Sequence, residues 1–416
     1  MSYRVVLANR RFSAVLVAQL LSKVGDILTS VALPLLIYSE AQSVSAMAFM
    51  MVTFWLPNLL LSPILGLLVD RWNRKRVMVL MDLVRGLLVL AIPFSSVLML
   101  FAICFLLACT NQLFNLAKMG LTVQLVAKEN LVSANSLVQG LDQFMNIGGP
   151  ALAGLVIALT GLHWPFYIDT ITYALSGVLL ACVSLPQLAA RTASTERFWE
   201  KTRSNFREGL SFIRTSAPLL FSMTLFLFVM TFAMPMNVLF YPLFQGEMQA
   251  SSWQIGVALS LFSICSLTGT LVSPLFNKRF NRVHLILIGL FLMGVASACL
   301  AKSANIYLAL LFYAGGAFFN GFVNPLNASL RQENIPDHLM GRVSGLYFST
   351  VNSLSMVMMV MTGLFAEQAG VRNVYLIASI GYALTGLLGF FSPWFRRTRS
   401  IYEHPPTPKS TGEVTL

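Results

Sequence analysis

Six charged side chains lie inside long apolar segments of this sequence, and they are its main candidates for binding ions or protons. They are Lys23, Asp26, Asp82, Arg85, Asp142 and Asp169. A charge at the centre of a bilayer costs about 3 kcal/mol on insertion scales, so each of these groups needs a partner or a function. All six lie in the first half of the chain. This predicts an N-terminal half that handles ions and a C-terminal half that supplies apolar walls.

The spacing of these charges places some of them together. Lys23 and Asp26 are three residues apart, so they share one face of a helix and can form an ion pair. Asp82 and Arg85 have the same spacing. A buried pair of this kind can be structural or can exchange a proton, and for Lys23 and Asp26 both interpretations stay open.

The composition identifies the elements that must hold these charges. The chain has 416 residues, of which 56% are hydrophobic and only 11% are charged, whereas soluble domains carry about 25% charged residues. At about 20 residues a span, the apolar share is enough for roughly a dozen membrane helices. A soluble enzyme, a disordered chain and a disulfide-stapled secreted domain are excluded. The five cysteines form no metal-binding or redox motif, and no metal or cofactor is predicted.

Apolar runs between polar or turn-rich breaks predict twelve transmembrane helices. The predicted spans are 12–38, 45–69, 76–95, 98–124, 133–160, 164–186, 217–244, 252–276, 283–301, 305–328, 340–366 and 372–395. We therefore expect an N-terminal six-helix bundle over 1–186, a polar cytoplasmic linker over 187–216, a C-terminal six-helix bundle over 217–395 and a disordered cytoplasmic tail over 396–416.

The formal net charge of +12 is interpreted as a topology signal. Most Lys and Arg residues, Lys118 among them, are assigned to segments that are cytoplasmic when the N-terminus is inside, as the positive-inside rule requires. An even number of spans then places both termini in the cytoplasm. The charge excess gives no reason to expect a nucleic-acid partner.

Two short motifs recur at about half the chain length. Residues 71–74 (Arg-Trp-Asn-Arg) match residues 279–282 (Arg-Phe-Asn-Arg), and residues 173–177 match residues 382–386. The order and spacing indicate a six-helix unit repeated in parallel. The predicted fold is an all-α integral membrane protein with two such bundles around a central cavity, an architecture that supports alternating access.

Residues 66–76 read Gly-Leu-Leu-Val-Asp-Arg-Trp-Asn-Arg-Lys-Arg, which resembles the signature loop of the major facilitator superfamily. Asn73 stands where the family usually has Gly, and because Asn tolerates the left-handed backbone of a tight turn better than most residues, this difference does little damage to the match. The resemblance implies that Gly66, Asp70, Arg71 and Arg74 latch the cytoplasmic ends of the two halves in the outward-open state. The alternative is a basic loop that serves topology alone.

Residues 148–150 (Gly-Gly-Pro) and Gly154 are similar to the Gly-Pro motif of exporters in this superfamily, although Met145 replaces one family glycine. The resemblance implies a gating helix in which Gly149, Pro150 and Gly154 matter. Ordinary close helix packing is the alternative.

Further motifs resemble the macrolide-efflux and siderophore-exporter branch, whose members are drug:proton antiporters. They are Arg10-Arg11-Phe12, Gly25-Asp26, Asp82-Leu83-Val84-Arg85 and Ile168-Asp169. The fourth span lacks the arginine that many proton-driven members carry. The family fold places the third span at the periphery, so Asp82 and Arg85 are interpreted as structural.

The family fold also implies that the first and fifth spans line the cavity. Asp26 is therefore the leading proton-coupling candidate and Asp142 the second, joined by Lys23 and Asp169. Snorkelling or helix capping is the alternative for Asp169. The candidates for the substrate cavity are Gln139, Asn146, Met230, Met234, Asn320, Asn324 and Asn352.

The resemblance implies a secondary active transporter of the cell membrane, not an enzyme. We expect it to export amphipathic small molecules of the drug or siderophore type by proton antiport. Its expected partners are the substrate, protons and the lipid bilayer, and it is expected to be a monomer. The alternatives are an importer or lysophospholipid flippase of the same fold, or a non-transporting receptor.

Overall fold

The computed structural model describes residues 3–61, 65, 69, 72–183, 208, 210–336, 339–392 and 395. These residues form helices, and no strand occurs among them. Twelve helices that match the predicted spans are labelled here α1 to α12. In the first half they are α1 (Arg10–Ala41), α2 (Val44–Leu60), α3 (Arg74–Ala91), α4 (Val97–Leu125), α5 (Leu131–Thr160) and α6 (Trp164–Cys182). In the second half they are α7 (Ala217–Val238), α8 (Ser252–Asn277), α9 (Arg282–Lys302), α10 (Ile306–Glu333), α11 (Met340–Ala369) and α12 (Val371–Gly389).

Within the described residues, eleven of these helices are long and apolar enough to cross a membrane. The exception is α2, which is apolar but has only 17 residues. The sequence predicted the second span to continue to residue 69, and most of residues 62–71 lie outside the described residues. Eleven of the twelve predicted spans are thus confirmed. The predicted tail and nearly all of the linker also fall outside the description and stay predictions.

The helix ends repeat between the halves as the sequence motifs do. Asn73 caps α3, because its side-chain oxygen accepts a hydrogen bond from the Arg76 amide at 3.2 Å. Asn281 caps α9, because its side-chain oxygen accepts a hydrogen bond from the Val283 amide at 2.9 Å. Asn73 does not use the left-handed backbone that Asn tolerates: its φ is −69° and ψ is 112°, the extended backbone that an N-cap residue adopts. The family glycine is therefore replaced here by a helix cap.

Each set of six helices packs by the same scheme. In the first set the extensive contacts join α1 to α5 and α6, α3 to α4 and α6, and α2 to α4. In the second set they join α7 to α11 and α12, α9 to α10 and α12, and α8 to α10. Adding six to each helix number of the first set gives the second set. This correspondence is what a parallel repeat of one six-helix unit produces.

The extensive contacts between the two sets join α5 to α8 and α2 to α11. We call the end of the bundle where α1 begins and α12 ends the terminal face, and the other end the opposite face. The backbones of Gly154 and Gly256 meet near the opposite face, where a Cβ on Gly154 would overlap the carbonyl of Ser252. Gly363 of α11 meets α2 there as well, beside Ser45. Small residues allow this closeness.

A polar contact also joins the sets at the opposite face. Ser43, the N-cap of α2, donates its hydroxyl to the Glu367 carboxylate of α11 at 2.5 Å. The Ser45 amide donates to the same oxygen at 3.2 Å. A carboxylate at a helix N-terminus is electrostatically favourable. The described inter-set contacts therefore close the bundle at the opposite face.

Candidate functional site

Among the described residues, each helix set contains a cavity. The larger one, of about 680 Å³, is lined mainly by α1, α2, α4, α5 and α6. The smaller one, of about 290 Å³, is lined mainly by α7, α8, α9, α10 and α12. Met51, Met234 and Asn237 line both, so the two spaces meet at these residues. The charged residues of the larger wall are Lys23, Asp26, Arg85, Lys118, Asp142 and Asp169.

Asp26 is bound by a tyrosine of another helix. The Tyr173 hydroxyl of α6 donates a hydrogen bond to the Asp26 carboxylate of α1. The expected ion pair between Lys23 and Asp26 is wrong, because none of the ion pairs among the described residues joins them. Both side chains are half-buried in the cavity wall. Their spacing places Lys23 and Asp26 on one wall of the cavity, but the Asp26 carboxylate is hydrogen-bonded to Tyr173 and not paired with Lys23.

Tyr173 connects Asp26 to a buried ion pair. The Arg85 guanidinium carbon lies 4.6 Å from the centroid of the Tyr173 ring, a cation–π distance. Arg85 also forms an ion pair with Asp82, which accepts a hydrogen bond from the Ser176 hydroxyl at 2.7 Å. Asp82 and Arg85 are almost wholly buried, as a structural pair would be. Arg85 nevertheless reaches the cavity wall, so the pair also supports the site.

Asp169 is fully buried where α6 meets α1. Its carboxylate accepts a hydrogen bond from the Thr29 hydroxyl at 2.5 Å. Snorkelling is excluded by this burial. Gly25 makes the approach possible, because a Cβ there would overlap the side chains of Asp169 and Thr172. The Gly25-Asp26 motif therefore combines a close helix contact with a cavity carboxylate.

The polar stripe on α5 is only partly in the cavity. Asp142 and Asn146 line the larger cavity, whereas Gln139 is exposed and is not among its lining residues. Lys118 also lines it, near enough to interact electrostatically with Asp142 and Lys23. The assignment of Lys118 to a cytoplasmic segment is wrong, since it lies within α4. Basic and acidic groups are thus mixed in this wall.

The smaller cavity contains four of the predicted substrate residues. Met230, Met234, Asn320 and Asn324 line it. Asn352 lines neither cavity. The prediction omitted three tyrosines, Tyr313, Tyr375 and Tyr382. The repeat offered a signal for one of them, since Tyr382 is the equivalent of Tyr173 and each borders the cavity of its own set.

The predicted gating residues lie on both sides of α5. Gly149 packs against Ile27 of α1, and the Pro150 carbonyl approaches Gly256 of α8. The Ala151 amide donates to the Ser260 hydroxyl of α8 at 2.9 Å. The segment of the Gly-Pro motif therefore forms part of the contact between the two helix sets, the part in which α5 meets α8.

Of the predicted latch, Gly66, Asp70 and Arg71 lie outside the described residues. Arg74 is described, and its guanidinium donates to the Gly120 carbonyl of α4 at 2.8 Å. This contact lies within the first helix set.

The match to known proteins agrees with this architecture. The model of the Major Facilitator Superfamily matches residues 15–359 and 236–413. The chain belongs to this superfamily. Members are transporters, so the chain is a multi-pass membrane transporter and not an enzyme.

Relatives of known name include efflux proteins. The chain is 29% identical over 387 residues to the uncharacterized MFS-type transporter YfiS of Bacillus subtilis, covering 90% of this chain and 91% of that protein. It is 25% identical to macrolide efflux protein A of Streptococcus pyogenes, with coverage of 83% and 87%. It is also 25% identical to the multidrug efflux pump Tap of Mycolicibacterium fortuitum, with coverage of 92% and 95%.

A solved structure shares the fold. A bacterial homologue of the iron transporter ferroportin in an inward-facing state superposes with a TM-score of 0.71. It is 18% identical in sequence, and the match covers 93% of this chain and 98% of that one. At this identity the likeness shows the fold alone.

Proposed function

We propose that this transporter is an exporter of amphipathic small molecules in the cell membrane that works by proton antiport. The observation that carries the proposal is the cavity carboxylate of Asp26, held by Tyr173 beside the buried Asp82–Arg85 pair. The named relatives that act on macrolides and multiple drugs support export rather than import.

The positive-inside rule places the terminal face, and with it both termini, in the cytoplasm. On this topology the contacts at the opposite face close the outer side, and we assign this conformation to the inward-facing state of an alternating-access cycle. In this state the Tyr173 hydroxyl donates a hydrogen bond to the Asp26 carboxyl group, so a donor from α6 holds the proposed proton acceptor of α1 in the cavity wall.

The cycle follows from this arrangement. An amphipathic substrate enters from the cytoplasm and occupies the cavity while Asp26 is ionised. Opening of the opposite face releases the substrate and admits a proton to Asp26. Protonation weakens the acceptor for Tyr173, and the contact of Tyr173 with Arg85 passes the change from α1 to α6 and α3. Asp142 and Lys118 of the same wall tune the charge that the substrate meets.

Transport into everted membrane vesicles tests the direction and the coupling. We expect energised vesicles that contain the protein to accumulate a labelled macrolide or a fluorescent dye, and an uncoupler to abolish the accumulation. Asp26→Asn should lose it as well, whereas Glu129→Gln, the same change at an exposed acid outside both cavities, should keep it. Accumulation that persists with the uncoupler would rule out proton antiport.

The alternative is an importer or a lysophospholipid flippase of the same fold, because solved structures of this fold include a D-xylose–proton symporter. Proteoliposomes loaded with labelled lysophospholipid separate these functions. A lipid-specific activity without export of drug-like compounds would favour the flippase.

A further inference from the structure

The smaller cavity combines apolar walls with a set of asparagine side chains. None of the described residues that line it is Asp, Glu, Lys, Arg or His. Its polar groups include four side-chain amides, Asn237 on α7 and Asn320, Asn324 and Asn327 on α10. The α10 residues are spaced by four and three, so they form one stripe on that helix. Asn327 is buried and Asn320 is half-buried, whereas Asn237 and Asn324 are exposed. Side-chain amides on this otherwise apolar wall are therefore open to a ligand that enters the cavity.

The protein itself uses only part of this hydrogen-bonding capacity. Asn324 donates to the Asn320 side-chain oxygen at 3.0 Å, and Ser222 donates to the Asn327 oxygen at 2.8 Å. The Asn237 amide group donates to the Ala233 carbonyl of its own helix at 2.9 Å. Among the hydrogen bonds of the described residues, the Asn320 amide nitrogen and the Asn324 oxygen engage no protein partner. The cavity thus offers one donor group and one acceptor side by side.

We propose that this cavity is the subsite for an uncharged, hydrogen-bonding apolar group of the substrate, and that Asn320 and Asn324 are its specificity-determining residues. This proposal rests on the proposed export function, because it takes the ligand of the cavity to be the exported compound. A neutral amide pair binds a carbonyl, hydroxyl, ester or secondary amine. A charged group has no counter-ion there and would have to leave water at high cost.

The position of the subsite also assigns its role in the cycle. Apart from Met51, its described lining residues all belong to the second helix set. When the two sets rock against each other, the asparagine stripe keeps its neighbours and holds the apolar group throughout. The charged wall of Asp26, Lys118 and Asp142 belongs to the other set, so proton coupling acts on the remaining part of the substrate. Variants at the asparagines should therefore change affinity and leave coupling unchanged.

Direct binding to the purified full-length protein in nanodiscs tests the subsite without any gradient. The probe is N-phenyl-1-naphthylamine, an uncharged aromatic amine whose fluorescence rises on binding. Its partner is 1-anilinonaphthalene-8-sulfonate, which has the same ring skeleton with a charged group. We expect saturable binding of the neutral probe, which an excess of the sulfonate does not displace. Asn320→Leu with Asn324→Leu should weaken the neutral probe about ten-fold, the loss expected for one hydrogen bond.

The control is Asn352→Leu, which makes the same substitution at a half-buried asparagine outside both cavities and should leave affinity unchanged. Met293→Trp narrows the cavity without changing the asparagines and should abolish saturable binding. Wild-type affinity in the leucine double variant or in the tryptophan variant would overturn the inference, as would displacement by the sulfonate. Binding as expected with no proton-driven export would instead refute the antiport proposal alone.

Discussion

Tyr173 of α6 donates its hydroxyl to the carboxylate of Asp26 on α1, across 147 positions of the sequence. The Tyr173 ring also lies against the Arg85 guanidinium. One side chain thereby joins the cavity acid to the buried pair behind it.

Removing the Tyr173 hydroxyl should weaken coupling. In Tyr173→Phe, Asp26 loses a hydrogen bond to a charged acceptor, an interaction of about 1.5–3 kcal/mol. We expect proton-driven transport to fall at least ten-fold while downhill substrate exchange continues, measured in proteoliposomes with and without a pH gradient. Tyr382→Phe is the matched control, since Tyr382 is the repeat equivalent and borders the other cavity. Unchanged gradient-driven transport in Tyr173→Phe would contradict the role of this contact.

Variants of the buried Asp82–Arg85 pair can separate its contribution to folding stability from its contribution to transport. Arg85→Met leaves Asp82 without its counter-ion in the interior, which should cost about 3 kcal/mol of folding stability. The double variant Asp82→Leu with Arg85→Met removes both charges and should recover most of the loss. Thermal unfolding in detergent measures both. Full recovery of stability with transport still lost would show that Arg85 also acts through Tyr173, as its position in the cavity wall predicts.

Gly25 should be intolerant of even a methyl group. A Cβ at this position would overlap Asp169 and Thr172, so Gly25→Ala forces α1 and α6 apart. Overpacking of this kind costs about 1–3 kcal/mol, and we expect a clearly lower unfolding temperature. Gly140→Ala is the control, because nothing lies within 4 Å of its Cβ position. Equal stability of the two variants would contradict the close helix contact.

The contact of Gly154 with α8 should control which face is open. In Gly154→Ala the new Cβ meets the Ser252 carbonyl, so the closed opposite face is destabilised and the equilibrium shifts toward the outward-open state. Spin labels at Thr160 and Asn373, which lie at that face on different helix sets, should report longer distances. Gly148→Ala, on the same helix with open space at its Cβ position, should leave the distances unchanged. No change in Gly154→Ala would refute this contact as a gate.

Much of the fold follows from the sequence because its signals are local or periodic. Apolar length predicted eleven spans that the structure confirms, and the two repeated motifs predicted helix sets that do pack by one scheme. The cost of burying charge singled out six charged residues from their identity and their apolar neighbours alone. The choice of Asp26 and Asp142 among the six came from the family resemblance, which implies that the first and fifth spans line the cavity.

Local and periodic sequence signals do not predict which side chains of different helices contact each other. Helical spacing places Lys23 and Asp26 on one face, but it says nothing about Tyr173, which reaches Asp26 from another helix. Lys118 was misassigned because a basic residue near a helix end fits both a loop and a cavity wall. The comparison of Asn73 with the family glycine did not reveal that Asn73 is the N-cap of α3. Each case needed the neighbouring helix or the backbone angles.

Gradient-driven transport by Asp26→Asn in proteoliposomes tests the central claim most directly. The neutral side chain cannot release a proton, so substrate movement should be uncoupled from the pH gradient. We expect the variant to exchange labelled substrate downhill at a rate close to that of the wild type and to show no uphill accumulation under an imposed gradient. Uphill accumulation equal to that of the wild type would contradict proton coupling at Asp26.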